Sequence, residues 1–437
     1  MPHEANTAHD KTRELQTKLY QAAKRSPTRR FHALWDRIHR RDVLERAWKE
    51  VRANRGAPGV DAQTIDHIEE TGVGAFVDEL QAELKEERYR PLPVRRVRIP
   101  KRDGGQRKLG VPAVRDRVVQ TAAKIVLSPI FEADFLDCSY GFRPGRSAHQ
   151  AMDRVREEVN RGRCWAVKAD VQSFFDELDH DRLQGFLKLR ISDRRVLKLV
   201  SAWLRAGVWE GGVLSHPETG SPQGGSLSPV LANVYLHRLD LRWQQECWRL
   251  GVLVRYCDDL VVLCPTRERA DAALRALAAI LASLSLALSE GKVWIVDLGQ
   301  KGQGFDFLGF HHRRVESFSR KGRYFCARWP SAQTVKVVKS RIRDLTARRL
   351  LLRPVGEIVW RVNGYLRGWR NYYARGNSTT IFHDLDRFVQ GRVARFISKK
   401  HGHSGAGYGY LVLRRNDNLG LYRLVGTVLT GPAHAVR

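Results

Sequence analysis

Two adjacent acids, Asp258 and Asp259, follow Tyr256 and Cys257 at the junction of two apolar runs. The residues from Val252 to Tyr256 and from Leu260 to Cys264 are rich in β-branched side chains, and each run reads as a strand. The carboxylates therefore lie where one strand turns into the next. Strands of this kind cover a core, and an unpaired carboxylate buried there is costly. A divalent cation is the simplest way to neutralise such a pair. The plainer alternative is an Asp-rich turn held by local hydrogen bonds. A third acid weighs against it: Asp170 closes the apolar run from Cys164 to Ala169, 88 residues before Asp258. Carboxylates from separate strand ends can hold two Mg²⁺ ions about 4 Å apart, which steady the attacking and leaving oxygens of phosphoryl transfer at a nucleic-acid 3′-end.

The elements that must position these acids are legible in outline. Apolar spacing predicts a helix through Leu227, Val230, Leu231, Val234 and Leu239, and another through Leu274, Leu277, Leu281 and Leu284. Strand, helix, hairpin, helix is an α+β pattern of antiparallel strands packed on two helices. Upstream, the residues from Val94 to Pro100 alternate apolar and basic side chains, and the chain resumes at Arg107 after a Gly-rich turn. This reads as a hairpin with cationic arms. Residues 8 to about 50 have helical spacing and are basic, as are residues 331–400, where 16 Lys or Arg face 4 Asp or Glu. The second stretch predicts a basic all-helical module.

Bulk properties narrow the partner class. The 437 residues carry a formal net charge of +29, a surplus that points to nucleic acid ahead of anionic membrane surfaces. No segment has the uninterrupted apolar length of a membrane span, and the N-terminus lacks the build of a secretory signal. Six scattered cysteines without a C-x-x-C pair argue against structural zinc and a disulfide framework, so a cytoplasmic protein is expected. His180 and His237 have no partners at metal spacing and read as structural.

Three stretches resemble reverse-transcriptase motifs in their usual order: Asp170-Val171-Gln172-Ser173-Phe174-Phe175-Asp176, Ser221-Pro222-Gln223-Gly224-Gly225-Ser226-Leu227-Ser228-Pro229, and Tyr256-Cys257-Asp258-Asp259. The family most similar is the group II intron reverse transcriptase, or maturase, through Pro222-Gln223-Gly224-Gly225 running on to Leu236. Further matches are Tyr140-Gly141-Phe142-Arg143-Pro144-Gly145-Arg146-Ser147, Phe305-Asp306-Phe307-Leu308-Gly309-Phe310 and Gly368-Trp369-Arg370-Asn371-Tyr372-Tyr373. The resemblance covers residues 50 to 400 or so. It implies a right-hand polymerase: an N-terminal helical extension (1–88), fingers and an antiparallel palm (89–330), a basic helical thumb or maturase domain (331–400) and a short basic C-terminal tail (401–437).

The resemblance also assigns roles. Asp170, Val171, Asp258 and Asp259 match the metal site, for two Mg²⁺ ions with Mn²⁺ as a substitute, and the three acids are catalytic. Phe175 matches the bulky residue that screens the sugar 2′ position, and Gln223 and Gly224 match the dNTP pocket. Lys101 and Arg107 match cations that grip the triphosphate, and Lys292 a primer- or nucleotide-side contact. Arg143 and Arg146 are expected to touch template or pocket. Lys336, Lys339, Arg343, Arg367 and Arg370 are expected to bind nucleic acid. Phe174, Trp369, Tyr372 and Tyr373 read as core, and Cys257 as packed in the strand pair. Cys257, Lys108 and Ser289 depart from the commoner Ala, Pro and Asn without removing a metal ligand.

The implied activity is RNA-directed DNA synthesis, with binding of a structured intron RNA for splicing and retrohoming. RNA template, DNA primer or target, and dNTPs are the implied partners. A zinc-stabilised C-terminal endonuclease is expected to be missing. Two rivals remain at this stage: a domesticated enzyme of phage defence, CRISPR adaptation or diversity generation, and a maturase that binds RNA without polymerising.

Overall fold

In the computed structural model, which describes residues 3–100, 105–216, 218–221 and 223–429, the chain separates into two units. Each is made from two stretches of sequence: Met1–Ala151 with Val167–Ile295, and Met152–Ala166 with Val296–Arg437. No helix among the described residues is long and apolar enough to cross a membrane.

The first stretch opens with helices α1 (His3–Arg25), α2 (Trp35–Ile38), α3 (Arg41–Ala53), α4 (Ile65–Thr71) and α5 (Val73–Lys85). A buried stripe of Val43, Leu44, Ala47, Trp48 and Val51 explains α3, because residues three and four apart share a helix face. Strands β1 (Val94–Pro100) and β2 (Gln106–Val111) form the expected antiparallel hairpin, in register from Arg95–Val111 to Pro100–Gln106. Next come α6 (Val114–Glu132), α7 (Ala148–Asn160), β3 (Trp165–Asp170), α8 (His180–Lys188), α9 (Arg194–Arg205), β4 (Val208–Glu210) and β5 (Val213–Ser215). They are followed by α10 (Ser228–Arg242), β6 (Val252–Tyr256), β7 (Asp259–Cys264), α11 (Arg267–Ser283) and β8 (Trp294–Asp297).

Helix α6 is buried around most of its circumference and packs against α1, α2, α3 and α10, which makes it the core helix of this unit. The N-terminal helices are thus part of a packed body. Asp193 ties helix starts together. One carboxylate oxygen accepts from Arg195 N at the start of α9, and the other accepts from Leu34 N and Trp35 N, 2.9 and 2.8 Å away, at the start of α2. The acids read from the sequence belong to a four-stranded sheet of order β6-β7-β3-β8, with α11 packed on β7.

The second unit differs from the sequence expectation at both ends of its helical module. Ahead of it, β9 (Gly304–Phe307), β10 (Phe310–Glu316) and β11 (Tyr324–Pro330) form an antiparallel sheet of order β11-β10-β9. The run His311-His312-Arg313-Arg314 hides these strands, because it lacks the apolar alternation that marks a half-buried strand. His312 is nonetheless fully buried, its ring stacked on Phe305 at 5.4 Å, and burial pushes its pKa down to about 3. Asp153 and Asn160, from the earlier stretch of this unit, hold β11. Arg328 pairs with Asp153 at 2.7 Å, and Cys326 N donates to Asn160 Oδ1 at 2.8 Å.

Helices α12 (Ala332–Leu345), α13 (Val355–Tyr373) and α14 (Thr379–Lys400) follow as the spacing predicts. Ser331 caps α12 by accepting from Thr334 N. Beyond them, where only a short tail is expected, α15 (Gly407–Arg415) packs on α14. Its Gly-Tyr-Gly-Tyr start disguises it, since glycine is a poor helix former. That glycine is required: a Cβ on Gly409 would lie 1.9 Å from Ala394 O, and Gly409 N donates to Ser398 Oγ at 2.9 Å. Gly409→Ala is predicted to displace α15 at a cost of about 1–3 kcal/mol. Limited trypsin digestion checks this: cleavage after Arg414 and Arg415 should accelerate, and an unchanged rate contradicts the packing argument.

Candidate active site

Asp170 ends β3, and Asp258 lies in the two-residue turn between β6 and β7, whose last pair is Tyr256–Asp259. Val171 N donates to Asp258 O at 3.2 Å, so the ends of β3 and the hairpin are stitched side by side. Cys257 takes φ 59° in this turn, a conformation costly for a residue other than glycine and one that clusters at functional sites. Its thiol is buried and pushed well up from the usual cysteine range by that burial, so it is no nucleophile.

Lysines answer the crowding of carboxylates. Lys292 Nζ lies 2.8 Å from Asp170 Oδ2, and Lys168 forms an ion pair with Asp259 Oδ1. Burial and then the neighbouring Asp170 raise the Asp258 carboxyl above its usual range, while Arg107 pulls it back. Burial pushes Asp259 up to about 6 against the attraction of Lys168. Lys168 escaped the sequence reading. The available signal was its place two residues before Asp170, on the same face of a strand.

Among the described residues no three acidic, histidine or cysteine side chains are already arranged as a metal-binding group, although Asp170, Asp258 and Asp259 are close enough to repel one another. Asp259, the third expected acid, is paired with Lys168. Asp170 and Asp258 still suit a hard divalent cation, since they offer only oxygen donors and their mutual repulsion is relieved by positive charge.

The other expected pocket residues approach through backbone contacts. Gly110 N, on β2, donates to Gln223 O at 2.9 Å. Gly224 has φ 134°, and a Cβ there would lie 2.4 Å from Gly110 O, so the Gln223-Gly224 turn and the cationic hairpin meet only through glycine. Phe175 is half-buried with its ring edge-on to buried Phe174, 5.4 Å apart. Ser289 N donates to Asp170 O at 2.9 Å, which brings the short turn carrying Lys292 to the acid. Lys101 lies outside the described residues.

The cations expected to bind nucleic acid divide. Arg143 is a correction: it is buried, pairs with Glu132 at 2.7 Å and donates to Leu136 O and Ser139 O. Its guanidinium is spent inside the protein. Arg146 is partly exposed but paired with Asp137. In the second unit, Lys336 is exposed, and Lys339 and Arg343 lie over the Phe388 ring at 5.5 and 5.3 Å. Arg367 is exposed over Tyr422, whereas Arg370 is drawn inward by Thr427 O at 2.8 Å. Tyr373 is buried and Trp369 and Tyr372 half-buried, as a helix core requires. His180 bonds to Gly220 O at 2.6 Å, and burial lowers the His237 pKa to about 4.

Beneath the β6–β7 turn lies a residue the sequence reading passed over. Arg255 on β6 has no exposed side-chain surface; its Nε donates to Asp240 Oδ1 at 2.7 Å and its Nη1 to Asn233 Oδ1 at 3.1 Å and Cys257 O at 3.2 Å. Asn233 and Asp240 both lie on α10, and Asn233 also donates to Gly141 O at 2.8 Å. A Cβ on Gly141 would meet Cys257 N at 2.7 Å, so glycine is needed where this segment passes under the turn. Replacing Asp240 by Ala leaves a buried guanidinium without its counter-ion, and a loss of about 3–5 kcal/mol is predicted. Chemical denaturation measures it; a loss below about 1 kcal/mol contradicts the assigned role.

Residues 99–312 match the family model of the reverse transcriptase (RNA-dependent DNA polymerase), and residues 335–411 that of the group II intron maturase-specific domain. Protein YkfC of Escherichia coli (strain K12) is 34% identical over 348 residues, 71% of this chain and 90% of that protein. Group II intron-encoded protein LtrA of Lactococcus lactis subsp. cremoris is 37% identical over 213 residues, 48% of this chain and 35% of LtrA. The match thus spans nearly all of the first relative and about a third of the second. A chain of a partial Cas6-RT-Cas1–Cas2 complex is similar at a TM-score of 0.37 and 24% identity, over 57% of this chain and 42% of that one. With a polymerase domain holding two carboxylates at a strand junction and a maturase domain following it, the chain belongs to the group II intron-encoded reverse transcriptase/maturase family.

Proposed function

We propose that Asp170 and Asp258 are the heart of an RNA-directed DNA polymerase centre that extends a 3′-hydroxyl with dNTPs. The supporting observation is their convergence from β3 and the β6–β7 turn through the Val171 N to Asp258 O hydrogen bond of 3.2 Å. Two Mg²⁺ ions, replaceable by Mn²⁺, would be held by these carboxylates with the Val171 backbone beside them, and would supply Lewis-acid stabilisation of charge on the transferred phosphoryl group. Asp259 is the third acid of the set, with Lys168 balancing its charge.

The remaining roles follow from this centre. The β1–β2 hairpin with Lys101 and Arg107 serves as fingers that hold the triphosphate. Gln223 and Gly224 floor the dNTP site, Phe175 fills the space a 2′-hydroxyl would need, and Lys292 contacts primer or nucleotide when it leaves Asp170. The sheet that carries the acids serves as palm, and α12–α14 as the thumb and maturase domain of a right hand. Residues 1–88, 89–330, 331–400 and 401–437 bound the extension, the fingers and palm, the thumb and the C-terminal segment. Lys336, Lys339, Arg343, Arg367 and the basic N-terminal helices grip a structured intron RNA by its phosphates and shape, since A-form grooves hide base edges. Binding so arranged supports splicing and retrohoming, with RNA template and DNA primer or target as partners. Six free thiols suit a cytoplasmic setting.

Primer extension on an RNA template tests the centre. Asp258→Asn is predicted to lose synthesis by about a thousandfold or more while RNA affinity stays within twofold of wild type. Equal loss of both would refute the separation of catalysis from RNA binding. Phe175→Ala is predicted to weaken discrimination against ribonucleotides by on the order of tenfold or more, read as the ratio of kcat/KM for dNTP and NTP. An unchanged ratio would remove Phe175 from the sugar pocket.

A further inference from the structure

The β10–β11 hairpin ends in a tip whose chemistry none of the assigned roles uses. Its two arms pair over seven positions, from Phe310–Pro330 to Glu316–Tyr324. The pairing continues into the turn, where Ser317 N donates to Arg323 O at 2.7 Å. Gly322, at φ 76°, donates its N–H to Glu316 Oε1 at 2.7 Å and closes the loop. The tip is therefore a built turn on a paired ribbon, and little ordering remains to be done when it binds.

Phe318 stands at its end with 106% relative exposure, the most exposed large apolar side chain among the described residues. Residues 313–324 hold five cations, Arg313, Arg314, Arg320, Lys321 and Arg323, against the single acid Glu316. Arg320, Lys321 and Arg323, within five residues of Phe318 in the same turn, are exposed. Arg314 lies over the half-exposed Tyr324 ring at 4.6 Å, so aromatic and guanidinium planes already associate here. An uncovered aromatic ring on a turn that also carries exposed cations has one matching partner among polyanions: an unpaired nucleobase flanked by phosphates, which offers a flat face and negative charge together. A paired base inside a helix offers no free face, and phosphate alone gives the ring nothing to cover it.

We propose that the β10–β11 tip is a single-strand clamp, in which Phe318 stacks on an unpaired base while Arg320, Lys321 and Arg323 hold the adjacent phosphates. The proposal deepens the reading of the chain as a nucleic-acid polymerase by giving it a contact for an unpaired strand. The strand is RNA or DNA, since both present the same base face and phosphate.

The test uses the full-length protein and 12-mers carrying 2-aminopurine, as single-stranded RNA, as single-stranded DNA and as blunt RNA duplex. Stacking predicts fluorescence quenching with either or both single strands and none with the duplex. Phe318→Ala should lose the quenching and about tenfold in single-strand affinity, and Phe318→Trp should restore both. Changing Arg320, Lys321 and Arg323 to Gln should lower the slope of log affinity against log salt for both strand types. The ratio of the RNA and DNA arms names the preferred strand. Affinity and quenching that are unchanged in Phe318→Ala would overturn the clamp. So would Phe318-dependent binding to phosphatidylserine vesicles alongside Phe318-independent RNA binding, which would assign the tip to a membrane. The two readings fail separately. Normal primer extension with Phe318-independent strand binding refutes the clamp alone. Phe318-dependent quenching in a wild type that cannot extend a primer supports the clamp and refutes the polymerase.

Discussion

A guanidinium with no exposed surface lies beneath the turn that carries Asp258, and the geometry of that turn depends on how its charge is met. Desolvating Arg255 costs several kcal/mol, and only a well-aligned counter-ion returns that energy. Asp240 supplies one in a forked geometry, from the helix that begins just after the Gln223–Gly225 turn. The remaining donors go to Asn233 and to the carbonyl of Cys257, whose φ of 59° needs outside support. The backbone of Arg255 is occupied as well: its N–H donates to Cys138 O, and its carbonyl accepts from Tyr140 N. One side chain thus joins a strand, a helix and a loop at the base of the acids.

Above that base the electrostatics reverse. Asp170, Asp258 and Asp259 are forced together by strand geometry, and burial raises the last two carboxyls. Lys168 and Lys292 soften this repulsion in different ways. Lys168 is nearly buried and comes from the same strand as Asp170, so it is a fixed part of the site. Lys292 is half exposed on a short turn, so its pairing with Asp170 faces solvent. The protein carries a net charge of +29 and still gathers three acids at one sheet end, a local field opposite in sign to the rest of the chain.

The sequence made some of this legible and hid the rest for physical reasons. The β1–β2 hairpin, α11 and α12 to α14 follow from apolar periodicity, whereas β3 and the β6–β7 hairpin show as continuous β-branched runs because their strands are buried on both faces. The three acids and Gln223-Gly224 were visible because their types and order are unusual. Lys168 and Arg255 were not, because a cation inside an apolar run carries no sign of the acid it will meet 91 or 15 residues away. Arg143 misled in the opposite sense: exposed and buried arginines look alike in a sequence, and only Glu132 and two carbonyls decide between them. Strands β9 to β11 were lost behind their histidines and arginines, and α15 behind its glycines.

The second unit is not continuous in sequence. Its β11 strand takes a backbone bond from Asn160 and an ion pair from Asp153, residues more than a hundred positions earlier. A gene break or recombination point just before the maturase-specific region would therefore split a folded body. Evolution can exchange these two halves of the chain only by rebuilding that body, so the polymerase and maturase parts are bound to a shared inheritance by folding, whatever their functions require.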